Sequence, residues 1–286
     1  MFSDSSSYVH EMVVKWNVNI HDVIKGIEFL RIFGYLSPNG KIDAKDILKA
    51  VKVLQTIYGL KTTDGEFGPK TLTAINRPRC GCPDNFILES KEAINKWKPR
   101  SLTYYIRNRD NDLSSEIWDV TIALALQQWS DVADLSFTEV NNQRIANLIF
   151  DVGSKSRENF GKRGGTLAWA YLPPQENYNG QLLCKFDTAE TWITGGNNGI
   201  RLLNVACHEI GHLLGLGHSD KKSALMAPYY NINVTKPQKN DDISRVVTLY
   251  GEPKSKPKPE PTPDDIVNIK IKGEVLEVEG YRLNKF

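Results

Sequence analysis

The stretch His208–His218, HEIGHLLGLGH, contains three of the five histidines in this chain of 286 residues. His208 and His212 are four residues apart, so on a helix they lie on one face and can bind one metal ion. A glycine three residues later permits a sharp exit from the helix, which can bring His218 back as a third ligand. Three neutral imidazoles suit Zn²⁺ and leave its fourth tetrahedral position open. Glu209 can then reach a water at that position as general base.

The sequence before this stretch predicts a small domain of three helices. Apolar residues recur at helical spacing over 20–30 and again over 47–58. Asp43 is placed to cap the second helix and Gly59 to end it, and Pro69 is a suitable first residue for a short third helix.

From about Trp97 the pattern changes to short strands and longer helices. Strands are predicted at 102–106, Ser136–Val140, Asn147–Val152, Thr166–Tyr171 and Leu182–Phe186. Helices are predicted at Ser114–Ser130, Arg201–Leu214 and Asp241–Tyr250. This mixture indicates an α+β (mixed α/β) domain with a twisted five-stranded sheet and three helices.

Composition narrows the class of protein. The net charge of +2 gives no indication of a nucleic-acid partner, and polar residues interrupt the most apolar segment, 117–126, so no membrane span is predicted. No signal peptide is visible at the N-terminus. Residues 253–265 are a linker rich in proline and lysine, and 266–286 form a short tail with the pattern of a hairpin around Gly273.

A second motif, Pro78–Asp84 with the sequence PRCGCPD, carries two of the four cysteines. A thiolate is an excellent zinc ligand, so a cysteine of this motif in the open fourth position would exclude the catalytic water. Tethering raises its effective concentration to roughly millimolar or above, so latency needs no separate inhibitor. Arg79 and Asp84 could pair and hold this loop in shape.

Both motifs resemble those of the matrixins, which are matrix metalloproteinases of the metzincin clan. Ser219 directly follows the third histidine, as in matrixins, and residues 224–230 (ALMAPYY) resemble the Met-turn and the Pro-x-Tyr wall of the specificity pocket. Pro78–Asp84 resembles the matrixin cysteine switch, which implies that Cys80 is the fourth zinc ligand in the latent form only, although Cys82 stands where the family usually carries an apolar residue. Met226 is accordingly expected beneath the zinc. The resemblance covers about residues 20–252.

The resemblance implies a latent zinc endopeptidase with a metzincin catalytic domain. Residues 1–84 would be the propeptide with its cysteine switch, 85–252 the catalytic domain and 266–286 a truncated hemopexin-like remnant. Substrates would be extracellular-matrix-type or other secreted proteins. It implies a monomer in an extracellular location, activated by another protease or by autolysis, because no Arg-x-x-Arg signal lies between Cys80 and Trp97.

The resemblance also places the substrate as an extended strand antiparallel to Thr166–Ala170. The residues that would line the substrate pocket are Leu167, Ala168, Asn204, Pro228 and Tyr230. Asn204 is polar at a position that shapes the specificity pocket.

One departure concerns the metals. Matrixins usually hold a second, structural zinc, but the corresponding positions here are Ser154, Ser156, Trp169 and Lys185, none of which is a zinc ligand. One zinc per chain is therefore expected, with the loop Gly153–Gly165 more mobile than in relatives and Trp169 filling the vacated space. Asp187 and Glu190 are compatible with a neighbouring calcium site, although the loop aspartate of that site is replaced by Gly161.

Two alternatives to proteolysis remain at this stage. One is a catalytically dead, metzincin-like binding module, although Glu209 and all three histidines are present. The other is a purely structural zinc site, closed permanently by Cys80 as the fourth ligand.

Overall fold

The computed structural model describes residues 6–84, 95–154 and 160–254, together with the short strands 269–271 and 274–276. Within these ranges the chain forms a helical N-terminal unit packed against a unit built on a mixed sheet.

The N-terminal unit contains four helices. They are α1 (Ser6–Trp16), α2 (Ile20–Ile32), α3 (Ala44–Ile57) and α4 (Pro69–Ile75). The last three were predicted, whereas α1 was not. Its buried residues Met12 and Trp16 are four positions apart, which is helical spacing, so the signal was present but short.

Local chemistry explains the helix ends and the packing. Asp43 and Asp46 form a capping box at the start of α3, and Pro69 is the first residue of α4. In the core of the unit, Phe67 packs directly on Gly26, where any Cβ would collide with the ring. This close approach brings the α3–α4 connection against α2.

The second unit is built on a sheet of six strands in the order β1-β5-β6-β4-β2-β3. The strands are β1 (Arg79–Cys80), β2 (Ser101–Ile106), β3 (Ser136–Glu139), β4 (Leu148–Gly153), β5 (Thr166–Ala170) and β6 (Leu182–Asp187). All neighbours are parallel except β5 and β6. Five of these strands are the predicted ones, and the sixth, β1, is supplied by the cysteine motif.

Helices cover the sheet and form the main core. They are α5 (Ser115–Ser130), α6 (Leu202–Leu213) and α7 (Ser244–Tyr250), the last preceded by a π-helical turn at Lys239–Ile243. The indole of Trp129 on α5 donates to the carbonyl of Cys207 on α6 at 2.9 Å. The indole of Trp97 donates to the carbonyl of Leu213 at 2.6 Å. These buried bonds fix α6, and thereby the histidine motif, in the core.

Two further pairs of short strands complete the described structure. β7 (Trp192–Ile193) runs parallel to β8 (Ile200–Arg201). β9 (Ile269–Ile271) and β10 (Glu274–Leu276) pair antiparallel, as the predicted hairpin requires. The rest of the linker and tail lies outside the described residues, so the hemopexin-like remnant stays a prediction. Among the described helices, none has the length and apolarity to cross a bilayer.

Candidate metal centre and active site

Helix α6 and the turn after it bring the three histidines together. His208, Glu209 and His212 lie in the last two turns of α6, and all three are buried. Gly215 then takes a φ of +97°, and a Cβ there would collide with the carbonyl oxygen of Asn95. Only glycine makes this turn without strain, and the turn returns His218 to the helix face.

Each histidine is oriented through its Nδ1 atom, which lies 2.7 Å from an oxygen acceptor. The acceptors are the carbonyls of Leu225 and Leu216 and Oδ1 of Asp84, for His208, His212 and His218 respectively. Because each Nδ1–H donates, the Nε2 atoms keep their lone pairs. Burial lowers the pKa of His208 and of His218, which favours the neutral imidazole that a metal needs, whereas for His212 the nearby Cys82 outweighs burial and raises the pKa to about 9.

The free Nε2 atoms and one thiol fit a tetrahedral zinc ion. Nε2 of His212 lies 3.2 Å from Nε2 of His218 and 3.4 Å from Sγ of Cys80. Nε2 of His208 is buried and has no hydrogen-bond partner. Around a tetrahedral zinc, ligand nitrogens would lie ~3.3 Å apart and nitrogen and sulfur ~3.6 Å apart. Ligand atoms of Cys80 and the three histidines all lie within 4.8 Å of one another.

Glu209 lies on the same side of the histidines as the thiol. A carboxylate oxygen of Glu209 lies within 4.8 Å of Sγ of Cys80, of Sγ of Cys82 and of a ring nitrogen of His212. The Cys80 thiol therefore fills the space beside Glu209 in which a water would have to lie for Glu209 to act on it.

A buried turn supports α6 from one side. Met226 is fully buried and packs on Gly211, where a Cβ would collide with its sulfur. The carboxylate of Asp242 accepts from the backbone N–H of Leu225 at 2.8 Å and of Met226 at 3.0 Å. Since the carbonyl of Leu225 orients His208, Asp242 stabilises the metal centre indirectly.

A buried cluster joins the cysteine motif to the third histidine. The guanidinium of Arg79 pairs with Asp84 at 2.8 Å, as the sequence suggested, and Asp84 also accepts from Tyr35 and His218. Burial raises the pKa of Asp84, but Arg79 and His218 together outweigh it and hold that pKa well below its usual range. Asp84 is therefore an ionised acceptor inside the protein.

The cysteine motif spans the cleft between β5 and the residues after Met226. On one side, Gly81 donates to the carbonyl of Ala168 at 2.8 Å. On the other, Cys80 donates to the carbonyl of Pro228 at 3.0 Å and Tyr230 donates to that of Pro78 at 2.9 Å. The segment thus binds both walls of the cleft, and it runs parallel to β5.

A small cavity of about 30 Å³ extends from the metal centre into the protein. Four of the five residues predicted for the substrate pocket line it, namely Leu167, Asn204, Pro228 and Tyr230. The fifth, Ala168, lies in β5 and contacts the cysteine motif through its carbonyl instead. The same cavity touches His208, Glu209 and Cys80.

Cys82 is buried near the metal centre but has different partners from Cys80. Its thiol donates to the carbonyl of Ala170 at 3.1 Å, and it packs in a small cluster with Cys80, Phe160 and Trp169. It is absent from the group formed by Cys80 and the three histidines.

The residues that the resemblance places at a second metal site make other contacts here. Trp169 is buried, and Lys185 extends over Gly153. Asp187 accepts from the N–H of Gly161 at 2.5 Å, and Glu190 accepts from that of Gly164 at 2.6 Å. Within the described residues, both groups of side chains able to hold a metal contain Cys80 and His212.

Two expectations about this region remain predictions. Residues 155–159 of the loop, which include Ser156, lie outside the described residues, so its expected mobility is untested. Calcium at Asp187 and Glu190 is likewise a prediction.

The sequence model of the matrixin family matches residues 96–251. This chain belongs to the matrixin family. It is 33% identical to matrix metalloproteinase-25 of Mus musculus over 84% of this chain and 43% of that protein. It is 37% identical to human matrix metalloproteinase-20 over 73% of the chain and 43% of that protein. An interstitial collagenase of Equus caballus is 34% identical over 84% of the chain and 49% of that protein. The chain thus spans less than half the length of these curated relatives.

Sequence reasoning missed several residues around this matrixin centre. It assigned Asp84 only to Arg79, whereas the carboxylate also contacts His218, 134 positions away. It assigned nothing to Asp242, whose partners Leu225 and Met226 lie in a separate turn. No local sequence pattern predicts these contacts, because the partners of a buried carboxylate come from distant parts of the chain.

Proposed function

We propose that this chain is a latent zinc-dependent endopeptidase that cleaves extended protein segments and is activated by removal of residues 1–84. The observation that carries the proposal is the buried group of Cys80, His208, His212 and His218 with Glu209 beside it. Three histidine ligands and one position that a detachable segment fills are the arrangement of a catalytic zinc site.

His208, His212 and His218 would hold a zinc ion, which when bound would lower the pKa of a water to about 7 and would polarise the scissile carbonyl. Glu209 accepts the proton of the attacking water and passes it to the leaving amine nitrogen. The Nδ1 bonds of the histidines hold the rings in place, and Met226 forms an apolar support under α6. Because Glu209 is fully buried in the closed form, its carboxylate becomes available only when the cysteine motif leaves.

The substrate adds as a strand antiparallel to β5 and places one side chain in the cavity that Leu167, Asn204, Pro228 and Tyr230 line. The cysteine motif contacts both walls of this cleft but runs parallel to β5. It therefore occupies the substrate's place in the opposite direction, which supports a role as inhibitor rather than as substrate.

Latency then has two components. Cys80 takes the fourth zinc position, and the buried Asp84 cluster holds the segment that carries it. Removal of residues 1–84 by another protease or by autolysis would open both. Tethering at roughly millimolar effective concentration makes this inhibition independent of protein concentration.

The remaining assignments follow the family. We propose extracellular-matrix-type or other secreted proteins as substrates, an extracellular location, a monomer, and one zinc per chain. Calcium would be a second cofactor only if Asp187 and Glu190 accommodate it. The domain limits, 1–84 for the propeptide and 85–252 for the catalytic unit, belong to the same proposal.

A peptide-cleavage assay on the zinc-loaded chain, before and after limited proteolysis, tests this function. We expect activity only after proteolysis. A chain that binds zinc but stays inactive after loss of residues 1–84 would be a binding module or a structural zinc protein. Full activity before any proteolysis would contradict latency.

A further inference from the structure

A second set of metal donors lies beside the three histidines. Sγ of Cys80, Sγ of Cys82, a carboxylate oxygen of Glu209 and a ring nitrogen of His212 all lie within 4.8 Å of one another, and all four side chains are buried. In a tetrahedral site, two thiolate sulfurs lie ~3.8 Å apart, and a sulfur and a nitrogen ~3.6 Å apart. The four atoms therefore enclose a position that one metal ion can occupy after small side-chain rotations.

The backbone of the cysteine motif turns its two thiols toward the same place. The N–H of Cys82 donates to Sγ of Cys80 at 3.3 Å. Gly81 between them packs so closely on β5 that a Cβ would lie 2.6 Å from the side chain of Thr166. The thiol of Cys82 donates to the carbonyl of Ala170 at the other end of the same strand. β5 thus holds both sulfurs beside the metal centre, although only Cys80 is grouped with all three histidines.

The second position differs from the catalytic one in its chemistry. The catalytic group has three imidazoles and one thiol, whereas the second has two thiols, one imidazole and one carboxylate. Because Cys80 and His212 belong to both groups, an ion in one position excludes an ion from the other. Soft thiolate donors favour soft, thiophilic ions. Two thiolates and a carboxylate leave one excess negative charge around a dication, which is less than the two in a four-cysteine zinc site.

We propose that the precursor has a second metal position, held by Cys80, Cys82, His212 and Glu209, which takes a thiophilic ion in place of the catalytic zinc. The inference goes beyond the proposed peptidase function, because it concerns what else the precursor binds. An ion there holds both the thiol of the cysteine motif and the general base, so the precursor is inactive for two reasons. The position exists only in the precursor, because removal of residues 1–84 takes both thiols away.

Cadmium is a suitable probe of this position. Cd²⁺ is thiophilic, does not change its oxidation state, and gives an ultraviolet charge-transfer band whose intensity rises with each bound thiolate. The zinc-loaded, unprocessed full chain is titrated with Cd²⁺ under inert gas, and its zinc and cadmium contents are measured after free ions are removed. We expect one Cd²⁺ to replace one zinc and to give the band of two thiolates. Limited proteolysis and separation of residues 1–84 should abolish that band.

Three variants locate the site. Cys82→Ser should show about half the band, because only the Cys80 thiolate remains. Cys207→Ser is the matched control and should keep the full band, because the Cys207 thiol donates to Gln128 and belongs to neither donor group. His208→Gln removes a donor of the zinc position alone, so it should lower the zinc content and keep the full cadmium band.

A wild-type band of one thiolate would place cadmium in the zinc position and overturn the inference, as would an equal band in Cys82→Ser. Cadmium bound together with retained zinc, or no bound cadmium, would overturn it as well. If Cys82→Ser does not fold, the thiolate count of the wild type decides alone. None of these measurements uses a peptide. A chain that binds cadmium through two thiolates but cleaves no peptide after proteolysis would therefore contradict only the proposed function.

Discussion

Oδ1 of Asp84 lies 2.7 Å from Nδ1 of His218, and both side chains are fully buried. The segment that carries Cys80 therefore contacts the metal centre at a second point, through the group that orients a predicted zinc ligand. Arg79 and Tyr35, which lie in the same N-terminal unit, bind the same carboxylate, and its contact with His218 joins this cluster to the second unit.

Asp84→Asn should weaken latency. The change keeps the size of the side chain but leaves the Arg79 guanidinium buried without its counter-charge, which costs ~3–5 kcal/mol in the docked state. The unprocessed, zinc-loaded variant should cleave peptides that the unprocessed wild type does not. Glu11→Gln, an exposed change in α1, is the matched control and should stay latent. Equal latency of Asp84→Asn and wild type would show that the cluster does not hold the segment closed.

The two cysteines of the motif should behave differently. Cys80→Ser should give a precursor that is active without processing, because a hydroxyl is a far weaker zinc ligand than a thiolate. Cys82→Ser should stay latent, because the Cys82 thiol donates to the carbonyl of Ala170 and, unlike Cys80, is grouped with only one of the three histidines, His212. Equal latency of both variants in a peptide assay would show that Cys80 is not the zinc ligand that keeps the precursor inactive.

Elemental analysis should find one zinc per chain. The positions of the family's second zinc hold Trp169 and Lys185 here, and an ammonium next to a cation site opposes binding. In Cys80→Ser only the three histidines remain as zinc ligands. The affinity for zinc should therefore fall, but the number of zinc ions per chain should stay at one. Two tightly held zincs would mean that ligands outside the predicted set replace the missing histidines.

Asp187→Asn should destabilise the chain even in calcium-free buffer. Asp187 is fully buried and accepts from the N–H groups of Gly161 and Ala189, so its structural role does not need an ion. Loss of the charged acceptor should cost ~1–3 kcal/mol and lower the melting temperature by several degrees. If the variant melts like wild type without calcium, but lacks a rise in melting temperature that calcium gives the wild type, Asp187 would belong to a calcium site.

The sequence predicted those features that repeat with a local period or follow a local rule. The helices α2 to α7 and strands β2 to β6 were predicted from apolar spacing and caps, and the cluster of His208, His212 and His218 from their spacing within a stretch of eleven residues. Cys80 was assigned from the resemblance of its motif to the matrixin cysteine switch, and its sulfur lies 3.4 Å from Nε2 of His212.

Features that depend on distant parts of the chain were not predicted. The sixth strand, β1, exists only because Arg79–Cys80 lies against the free edge of β5. The Nδ2 group of Asn204 donates to three backbone carbonyls almost thirty residues further along the chain. Such relationships are fixed by tertiary packing, which the spacing of residues along the chain does not encode.

The most direct test of the central claim compares Glu209→Gln with wild type after limited proteolysis. The variant keeps the shape of the side chain and all three histidines, so zinc content and melting temperature should be unchanged. Peptide cleavage should fall by about 10²–10⁴-fold, because the amide cannot accept the proton of the attacking water. Cleavage at close to the wild-type rate, with zinc fully bound, would contradict the account.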